Sequence, residues 1–370
     1  MWSFSNPVNI HFGEGVLSRL PELLDGQNYA LLTYDEPWFS ALADQVISQC
    51  GKPVAVLNQI VPNPDVKDLL PLCLQLSELP VQPDVLVALG GGSVIDTAKV
   101  LAAAGEDFDR VYQLLTQGSG REELVCTPII AVPTTAGTGS EVTCWATVWD
   151  SAHERKYSLA DPRLYPQVAL CDPSLTHELP EFLTVCTGLD ALSHALSHAL
   201  ESIWNKNSNP VSSTYAVDAA RTIIDVLPAL TCDLNNADLR NRMMEASLKA
   251  GLAFSNTKTS IAHNISYEVT LRRGTPHGIA CSFTLPQVMR SVAGESEACD
   301  RALKAIFGSD LAAGSNQLES WLQGFGVKVQ PSDYQYDAQD WQRLLTSALA
   351  GERGKNFIGR KEALLARYVT

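Results

Sequence analysis

The first half of the sequence alternates short apolar runs, rich in β-branched residues, with segments of helical pattern. The runs are YALLTY (29–34), PVAVLN (53–58), VLVALG (85–90), PIIAVP (128–133) and VALCDP (168–173). Strands that alternate with helices in this way are typical of a parallel sheet joined by helical crossovers. The alternation therefore predicts an α/β domain built on a parallel sheet over residues 1–179.

The second half of the chain carries a different pattern. The segment CWATVWDSAHERKYSLA (144–160) has a polar middle between two alternating arms, so it predicts a β-hairpin attached to the parallel sheet. After HELPEF (177–182) the strand signals end, and helical patterns follow, separated by polar loops. We therefore expect a second, all-α domain over residues 180–370.

Composition excludes several classes of function. The chain has 370 residues, 45% of them hydrophobic, and a formal net charge of -14, which argues against nucleic acid or an anionic membrane as a partner. The nine cysteines are scattered and include no C-x-x-C pair, so neither a disulfide framework nor a structural zinc site is indicated. The N-terminus lacks the pattern of an export leader. We therefore expect a cytoplasmic protein without a transmembrane helix.

A glycine-rich turn follows the third apolar run, in GGGSVIDTAK. Gly90, Gly91 and Gly92 would let the backbone approach a ligand, and the helix that follows would direct its N-terminal N–H groups at a phosphate. Ser93 and Asp96 are spaced as a capping box. The alternative is a tight connection with no ligand, and the sequence is not the G-x-G-x-x-G fingerprint.

A second glycine segment, PTTAGTGSEVT, follows the fourth run and offers the small hydroxyl residues Thr134, Thr135, Thr138 and Ser140. Two such loops in one sheet predict an extended cofactor that contains phosphate. Asp35, at the end of the first run, could accept hydrogen bonds from a ribose diol and would repel a 2′-phosphate. NAD(H) is therefore expected in preference to NADP(H), although Asp35 could also be a solvated turn residue.

Four residues of the helical half have the chemistry of a metal site. Asp190 and His194 are one helical turn apart, and His263 and His277 follow downstream. One carboxylate and three imidazoles suit Fe2+ or, as an alternative, Zn2+. The stretch DALSHALSHALE repeats SHAL, so His198 is an alternative ligand that would pair with His194. Asp190 and His198 are about 12 Å apart along a helix, which is too far for joint coordination.

An ordered set of motifs resembles the iron-containing (group III) alcohol dehydrogenase family. The motifs are FGEG (12–15), PNP (62–64), GGGSVIDTAK, PTTAGTGSEVT, the DP of CDPSL, GLDALSH, and AH…PHGIA…LP between residues 262 and 286. The resemblance implies a dehydroquinate synthase-like fold with a dinucleotide-binding domain, a helical metal-binding domain and an active site in the cleft between them. It also implies that Asp190, His194, His263 and His277 act in catalysis through one divalent metal, which polarises an aldehyde for hydride transfer from a nicotinamide.

Two features depart from the family pattern. Tyr267 stands where many members have a further histidine, so the resemblance does not carry a proton-relay role to that position. The usual pattern D-A-x-x-H-A-x-E contains one histidine, whereas this chain has an additional SHAL unit. Either copy can be removed to restore the pattern. We favour Asp190 with His194 because that pair keeps the carboxylate, whose charge partly neutralises the dication.

Basic residues near the downstream histidines give the best clue to the substrate. Lys258 precedes His263, and Arg272 and Arg273 precede His277, so an anionic substrate tail could bind there; solvated cations at a helix end are the alternative. The N-terminus and the segments around His263 and His277 resemble the phosphonoacetaldehyde reductase branch of the family. This resemblance implies reduction of phosphonoacetaldehyde to 2-hydroxyethylphosphonate, a small-molecule phosphonate, by a homodimer.

Other functions stay open at this point. A general short-chain alcohol or aldehyde dehydrogenase is the nearest alternative, and maleylacetate reductase is less favoured. Glycerol-1-phosphate dehydrogenase and dehydroquinate synthase share the architecture. A binding protein without catalysis is the remaining alternative, because the additional turn lies at the metal-binding helix.

Overall fold

The computed structural model describes residues 2–199, 209–351 and 353–366, which form two compact units. The sheet unit consists of Pro7–Thr135 and Ser140–Glu178. The helical unit consists of Met1–Asn6, Ala136–Gly139 and Leu179–Thr370. The two short segments of the helical unit were not assigned to it from the sequence, and the assignment of cofactor and metal to separate domains stays a prediction.

The sheet unit contains eight strands, which are β1 (Asn9–Phe12), β2 (Tyr29–Leu32), β3 (Ala55–Leu57), β4 (Val85–Gly90), β5 (Ile129–Pro133), β6 (Trp145–Asp150), β7 (Arg155–Ala160) and β8 (Val168–Cys171). Six of them form a parallel sheet in the order β1-β8-β5-β4-β2-β3. The five predicted strands are thus confirmed as β2, β3, β4, β5 and β8. Strand β1 was not predicted, since its four residues NIHF lack the apolar run of a central strand.

Helices cover both faces of this sheet. They are α1 (Leu20–Leu24), α2 (Pro37–Cys50), α3 (Val66–Ser77), α4 (Gly92–Ala104) and α5 (Phe108–Gln117). Every residue of β4 is buried, because successive side chains point to opposite faces and each face is covered. Leu86 and Ala88 belong to the core that includes α3 and α4, whereas Val87 and Leu89 belong to the core that includes α1 and α2.

The predicted hairpin over residues 144–160 is present, but it does not join the parallel sheet. Strands β6 and β7 form an antiparallel two-stranded sheet of their own. It is tied to the rest of the unit by other bonds, in which the Trp149 amide donates to the Pro64 carbonyl at 2.8 Å and the Thr147 amide donates to Asp96 at 2.8 Å. The expectation of attachment to the sheet was therefore wrong, because a side-chain carboxylate and a loop carbonyl take the place of strand pairing.

The helical unit confirms the all-α prediction for the second half of the chain. Its helices are α6 (Glu181–Ala199), α7 (Pro210–Cys232), α8 (Ala237–Ser255), α9 (Ile261–Arg273), α10 (His277–Ser282), α11 (Leu285–Val292), α12 (Glu297–Phe307), α13 (Leu311–Gly324), α14 (Ala338–Ala350) and α15 (Lys361–Ala366). Helix α6 packs against α7, α8 and α10. Among the described helices, none combines the length and hydropathy needed to span a bilayer.

Candidate active site

The predicted glycine turn lies between β4 and α4. Gly90 closes the strand, and its carbonyl accepts a hydrogen bond from the Thr134 amide at 3.1 Å, which joins the two glycine segments. A Cβ at Gly90 would lie 2.4 Å from a methyl of Val94, so no larger residue fits without movement. Gly91 is the N-cap of α4, and a Cβ there would lie 3.1 Å from the side chain of Thr135. Gly92 begins the helix.

The predicted capping box of Ser93 and Asp96 is wrong. The N-cap of α4 is Gly91, and no side chain caps this helix. The Ser93 hydroxyl instead accepts a hydrogen bond from the Asn63 amide at 3.1 Å. Asp96 accepts from the Ser140 hydroxyl at 2.6 Å and from the Thr147 amide at 2.8 Å. The spacing matched a capping box, but the helix starts two residues earlier than the motif requires, with Gly91 rather than Ser93 as its N-cap.

A buried lysine organises the second glycine segment. The Lys99 ammonium, fully buried, donates to the carbonyl and hydroxyl of Ser140, both at 2.7 Å, and to the Trp145 carbonyl at 2.8 Å. It lies 3.9 Å from Asp96. A buried cation must be satisfied in this way, because its desolvation is otherwise costly. Ser140 and Asp96 thus have structural bonds, a role that the sequence did not suggest.

The other predicted cofactor residues have varied settings. Thr134 is buried and Thr135 half-buried at the end of β5, whereas Thr138 is half-buried within the short segment Ala136–Gly139 of the helical unit. Asp35 is exposed just after β2, and its carboxylate accepts a hydrogen bond from the Asn58 amide group at 3.1 Å. The binding of a cofactor by any of these residues stays a prediction.

Three of the four predicted metal ligands meet in the helical unit. Among the described residues, donor atoms of Asp190, His263, His277 and Cys281 all lie within 4.8 Å of one another. A carboxylate oxygen of Asp190 lies 3.8 Å from Nε2 of His263. The Cys281 sulfur lies 3.4 Å from Nε2 of His277, one helical turn earlier. This cluster joins α6, α9 and α10, and Cys281 was not singled out from the sequence.

His194 lies beside this cluster rather than within it. Its Nδ1 is 3.2 Å from the Gly137 carbonyl and 3.7 Å from the Asp190 carboxylate. The ring stacks between Phe254 and His263, with centroid distances of 4.5 and 4.6 Å. The pKa of His194 is lowered to about 4, mainly by burial and in smaller part by the positive charge of Arg353, while the hydrogen bond to Gly137 acts in the opposite direction. The imidazole is therefore neutral, and donation from Nδ1 to the carbonyl would leave Nε2 to bind a metal.

Glycine allows the helices of the cluster to approach closely. A Cβ at Gly278 would lie 1.9 Å from the Cys186 carbonyl oxygen and 3.1 Å from the Asp190 amide nitrogen, both on α6. Because α10 can rest directly on the backbone of α6, His277 comes within reach of Asp190. In the PHG sequence, Gly278 thus allows close packing of the two helices, and His277 is a candidate metal ligand.

The alternative ligand pair, His194 with His198, falls partly outside the described residues. Asp190 and His194 lie one turn apart on the continuous helix α6, as their spacing predicted. The side chain of His198 lies outside the described residues. The choice between the two registers of the SHAL repeat therefore stays a prediction.

The three predicted substrate cations are exposed. Arg272 forms an ion pair with Glu268 at 3.5 Å, and the Arg273 guanidinium lies 4.6 Å from the ring centroid of Tyr336. Lys258 has a left-handed backbone with φ of 64°, which is uncommon for a residue other than glycine. A half-buried cation that the sequence did not indicate, Arg353, donates to the hydroxyls of Thr259 and Tyr267.

Comparison with known proteins identifies the family. Residues 7–173 match the family model described as iron-containing alcohol dehydrogenase, and residues 184–358 match the one described as Fe-containing alcohol dehydrogenase family, C-terminal. Together these two matches span most of the chain. This chain belongs to the iron-containing alcohol dehydrogenase family. Membership makes it an oxidoreductase and confirms both the family and the fold class predicted from the motifs.

Three similar proteins illustrate the range of this family. A phosphonoacetaldehyde reductase from Streptomyces viridochromogenes is 35% identical over 75% of this chain and 68% of its own length. An NAD-dependent methanol dehydrogenase from Bacillus methanolicus is 37% identical over 55% of this chain, and the match spans about half (52%) of that relative. The crystal structure of sulfoacetaldehyde reductase from Bifidobacterium kashiwanohense in complex with NAD+ has a TM-score of 0.90 at 28% identity, covering 100% and 98% of the two chains.

The residues of this iron-containing alcohol dehydrogenase fit a divalent ion. Two ligands bound at about 2.1 Å in tetrahedral geometry are about 3.4 Å apart. The separation of 3.8 Å between Asp190 and His263 is close to that value. Both side chains are almost fully buried, with 6% and 2% of their surface exposed, and a carboxylate with imidazoles is a donor set for borderline metals.

Three residues near the candidate metal site were not predicted from the sequence, namely Cys281, Gly137 and Arg353. Cys281 follows His277 at i+4, so helical spacing alone could have indicated it. Gly137 offers a backbone carbonyl, which no residue type reveals. Arg353 is distant in sequence from every motif, and only the packing of the loop after α14 near α9 brings it to Tyr267.

Proposed function

We propose that this protein reduces a small aldehyde bearing a tetrahedral anionic group, with NAD(H) as the hydride carrier, and that phosphonoacetaldehyde is its substrate. The product would be 2-hydroxyethylphosphonate. The main support for this substrate class is that two similar proteins are named for closely related substrates. One is named for phosphonoacetaldehyde and the other for sulfoacetaldehyde, both two-carbon aldehydes with an anionic tail.

The metal would be held by Asp190, His194, His263 and His277, with Fe2+ preferred and Zn2+ as the alternative. When bound, the ion supplies Lewis acidity toward the carbonyl oxygen, and the nicotinamide supplies the hydride. The Asp190 carboxylate offsets part of the charge of the dication. The Gly137 carbonyl orients the His194 ring by accepting from Nδ1, and the low pKa of this imidazole keeps it unprotonated at neutral pH.

The glycine turn would bind the pyrophosphate of the cofactor. Gly91 lies at the N-terminus of α4, which carries partial positive charge and backbone N–H groups. Gly90, Gly92, Ser93, Thr134, Thr135 and Thr138 would line this binding site, and Asp96 and Ser140 would support it through the Lys99 network. The Gly91→Val substitution should weaken nucleotide binding, because its side chain would enter the phosphate space beside Thr135.

Asp35 would set the cofactor preference for NAD(H). Its exposed carboxylate follows β2, and a 2′-phosphate beside it would be repelled. We expect Asp35→Gly to raise kcat/KM for NADPH relative to NADH by about tenfold or more. Initial rates with both cofactors measure this ratio. A wild-type enzyme that already prefers NADPH would contradict the role of Asp35.

The substrate class is tested with purified protein reconstituted with Fe2+ or Zn2+. NADH oxidation is followed with phosphonoacetaldehyde, sulfoacetaldehyde, propionaldehyde and maleylacetate. We expect kcat/KM to be highest for the two aldehydes with tetrahedral anions. Equal or higher values for propionaldehyde would contradict the proposal.

A general short-chain alcohol dehydrogenase is the second candidate. The 37% identity to the methanol dehydrogenase favours it. It predicts oxidation of methanol, ethanol and propanol with NAD+ and no advantage for an anionic aldehyde, so the same substrate panel separates the two candidates. A cytoplasmic homodimer stays our expectation for either one, and analytical ultracentrifugation would give twice the chain mass of 40.1 kDa.

A further inference from the structure

Arg353 is held in a defined position next to the candidate metal cluster. Its Nη1 donates to the hydroxyls of Thr259 and Tyr267, and its guanidinium carbon lies 5.1 Å from the centroid of the Tyr267 ring. Thr259 is buried and Arg353 is half-buried. A side chain with two hydrogen bonds and an aromatic neighbour loses little further freedom when it binds a ligand.

The position of Tyr267 relates Arg353 to the cluster. The Tyr267 ring is parallel to the His277 ring, with 6.2 Å between centroids and an interplanar angle of 3°. Tyr267 thus contacts Arg353 through its hydroxyl and its ring, and the same ring is parallel to that of a candidate metal ligand. Arg353 and His277 therefore share Tyr267 as a neighbour, so the anionic tail of a two-carbon aldehyde bound at the cluster would be near this cation.

The chemistry of the guanidinium matches the anionic tail. The hydroxyls of Thr259 and Tyr267 are neutral, so they orient the guanidinium without cancelling its charge. A guanidinium offers a planar fork of N–H donors that fits two oxygens of a phosphonate or sulfonate. In a chain with a net charge of -14, such a local cation is needed to attract an anionic substrate.

We propose that Arg353 binds the tetrahedral anionic group of the substrate and that Thr259 and Tyr267 position it. This inference rests on the proposed function, and it places Arg353 ahead of Lys258, Arg272 and Arg273 as the principal substrate cation. Those two arginines are exposed near the end of α9, where one pairs with Glu268 and the other lies over Tyr336. Lys258 precedes Thr259 and can contribute attraction at longer range.

The inference is tested with Arg353→Ala and Arg353→Lys, and with Arg343→Ala as the matched control, because Arg343 is an exposed arginine of α14 that pairs with Asp340. Phosphonoacetaldehyde and propionaldehyde are compared as substrates, and ethylphosphonate is used as a ligand that cannot react. In Arg353→Ala we expect kcat/KM for phosphonoacetaldehyde to fall about 30-fold or more, mainly through KM, while propionaldehyde changes less than about threefold. Binding of ethylphosphonate, measured by calorimetry with metal-loaded protein, should weaken to a similar extent.

The remaining variants separate a binding role from a structural one. Arg353→Lys keeps the charge but not the fork, so it should recover only part of the affinity for ethylphosphonate. Thr259→Val and Tyr267→Phe should reduce selectivity for the anionic aldehyde in the same direction as Arg353→Ala, and Arg343→Ala should leave it unchanged. Circular dichroism and metal content identify any variant that has lost its fold.

The outcomes distinguish this inference from the proposed function. A wild-type enzyme that prefers phosphonoacetaldehyde, together with an Arg353→Ala variant of unchanged selectivity, overturns the assignment of Arg353 alone. Equal losses for phosphonoacetaldehyde and propionaldehyde in folded Arg353→Ala do the same, because they indicate a structural role. A wild-type enzyme without preference for anionic aldehydes and without affinity for ethylphosphonate overturns both.

Discussion

His194 combines a nearly complete burial with a bond to a backbone carbonyl, and both have consequences for stability. Its pKa is lowered from 6.5 to about 4 in the folded chain, mainly by burial. Between these values the unfolded state takes up a proton that the folded state does not, so the free energy of unfolding must fall as the pH falls from 6.5 toward 4. Well above pH 6.5 the imidazole is unprotonated in both states, and its contribution no longer depends on pH.

We expect this residue to account for about 2 kcal/mol of the loss in unfolding free energy between pH 7 and pH 5 in metal-free protein. Urea titrations of wild-type and His194→Gln protein in the presence of a chelator measure the difference. The variant should lose less stability than the wild type over this interval, because glutamine does not titrate. Equal losses in the two proteins would show that His194 is not held neutral by burial.

The candidate metal site offers two sets of donors. Asp190, His263 and His277 belong to both, and the fourth donor is either His194 or Cys281. We expect Asp190→Ala and His194→Ala to reduce metal content to below about a tenth of the wild-type value, since each removes a ligand. Cys281→Ala should retain the metal, and His198→Ala should have a mild effect. Elemental analysis after dialysis measures each case; loss of metal in Cys281→Ala with retention in His194→Ala would make the thiol the fourth ligand.

The candidate site could be predicted where residue type and spacing carry the information. Asp190 and His194 are one turn apart because α6 is continuous through both. His263 and His277 were indicated by the AH and PHGIA motifs, and they lie at the beginnings of α9 and α10. The hydrogen bonds that Asp96 accepts from Ser140 and Thr147 could not be predicted, since they depend on the packing of the hairpin against α4. Arg353 and the Gly137 carbonyl depend likewise on tertiary contacts.

Helix α10 rests on α6 through Gly278, and this contact should be more sensitive than helix propensity suggests. In Gly278→Ala the added carbon would lie 1.9 Å from the Cys186 carbonyl oxygen, so α10 must move and His277 with it. We expect the unfolding free energy to fall by about 2 to 4 kcal/mol and the metal affinity to fall at least tenfold. Gly324→Ala in α13, where nothing lies within 4 Å, is the matched control and should be neutral or slightly stabilising.

Thermal unfolding and metal titration of these two glycine variants test the contact. Similar melting temperatures and metal affinities for Gly278→Ala and Gly324→Ala would contradict it. The comparison is informative because both residues are helical glycines replaced by the same side chain, and only the surroundings differ.

The strands that are buried on both faces could be predicted from their hydrophobic pattern. β4 and β5 consist of continuous apolar runs, which is the pattern of a central parallel strand. The edge strand β1 was missed because NIHF has no continuous apolar run, and none of its four residues is fully buried. The hairpin was recognised from its alternation, but no local pattern states which strand it pairs with, so its separate sheet could not be predicted.

Both units of the chain match models of the same family, and the reaction proposed for this protein can be followed directly. Metal-loaded protein is incubated with phosphonoacetaldehyde and NADH that carries deuterium at the transferable position, and the products are followed by phosphorus NMR and mass spectrometry. We expect 2-hydroxyethylphosphonate with one deuterium at the alcohol carbon, formed in equal amount to the NADH consumed. Consumption of NADH with propionaldehyde but no deuterated 2-hydroxyethylphosphonate from phosphonoacetaldehyde would contradict it.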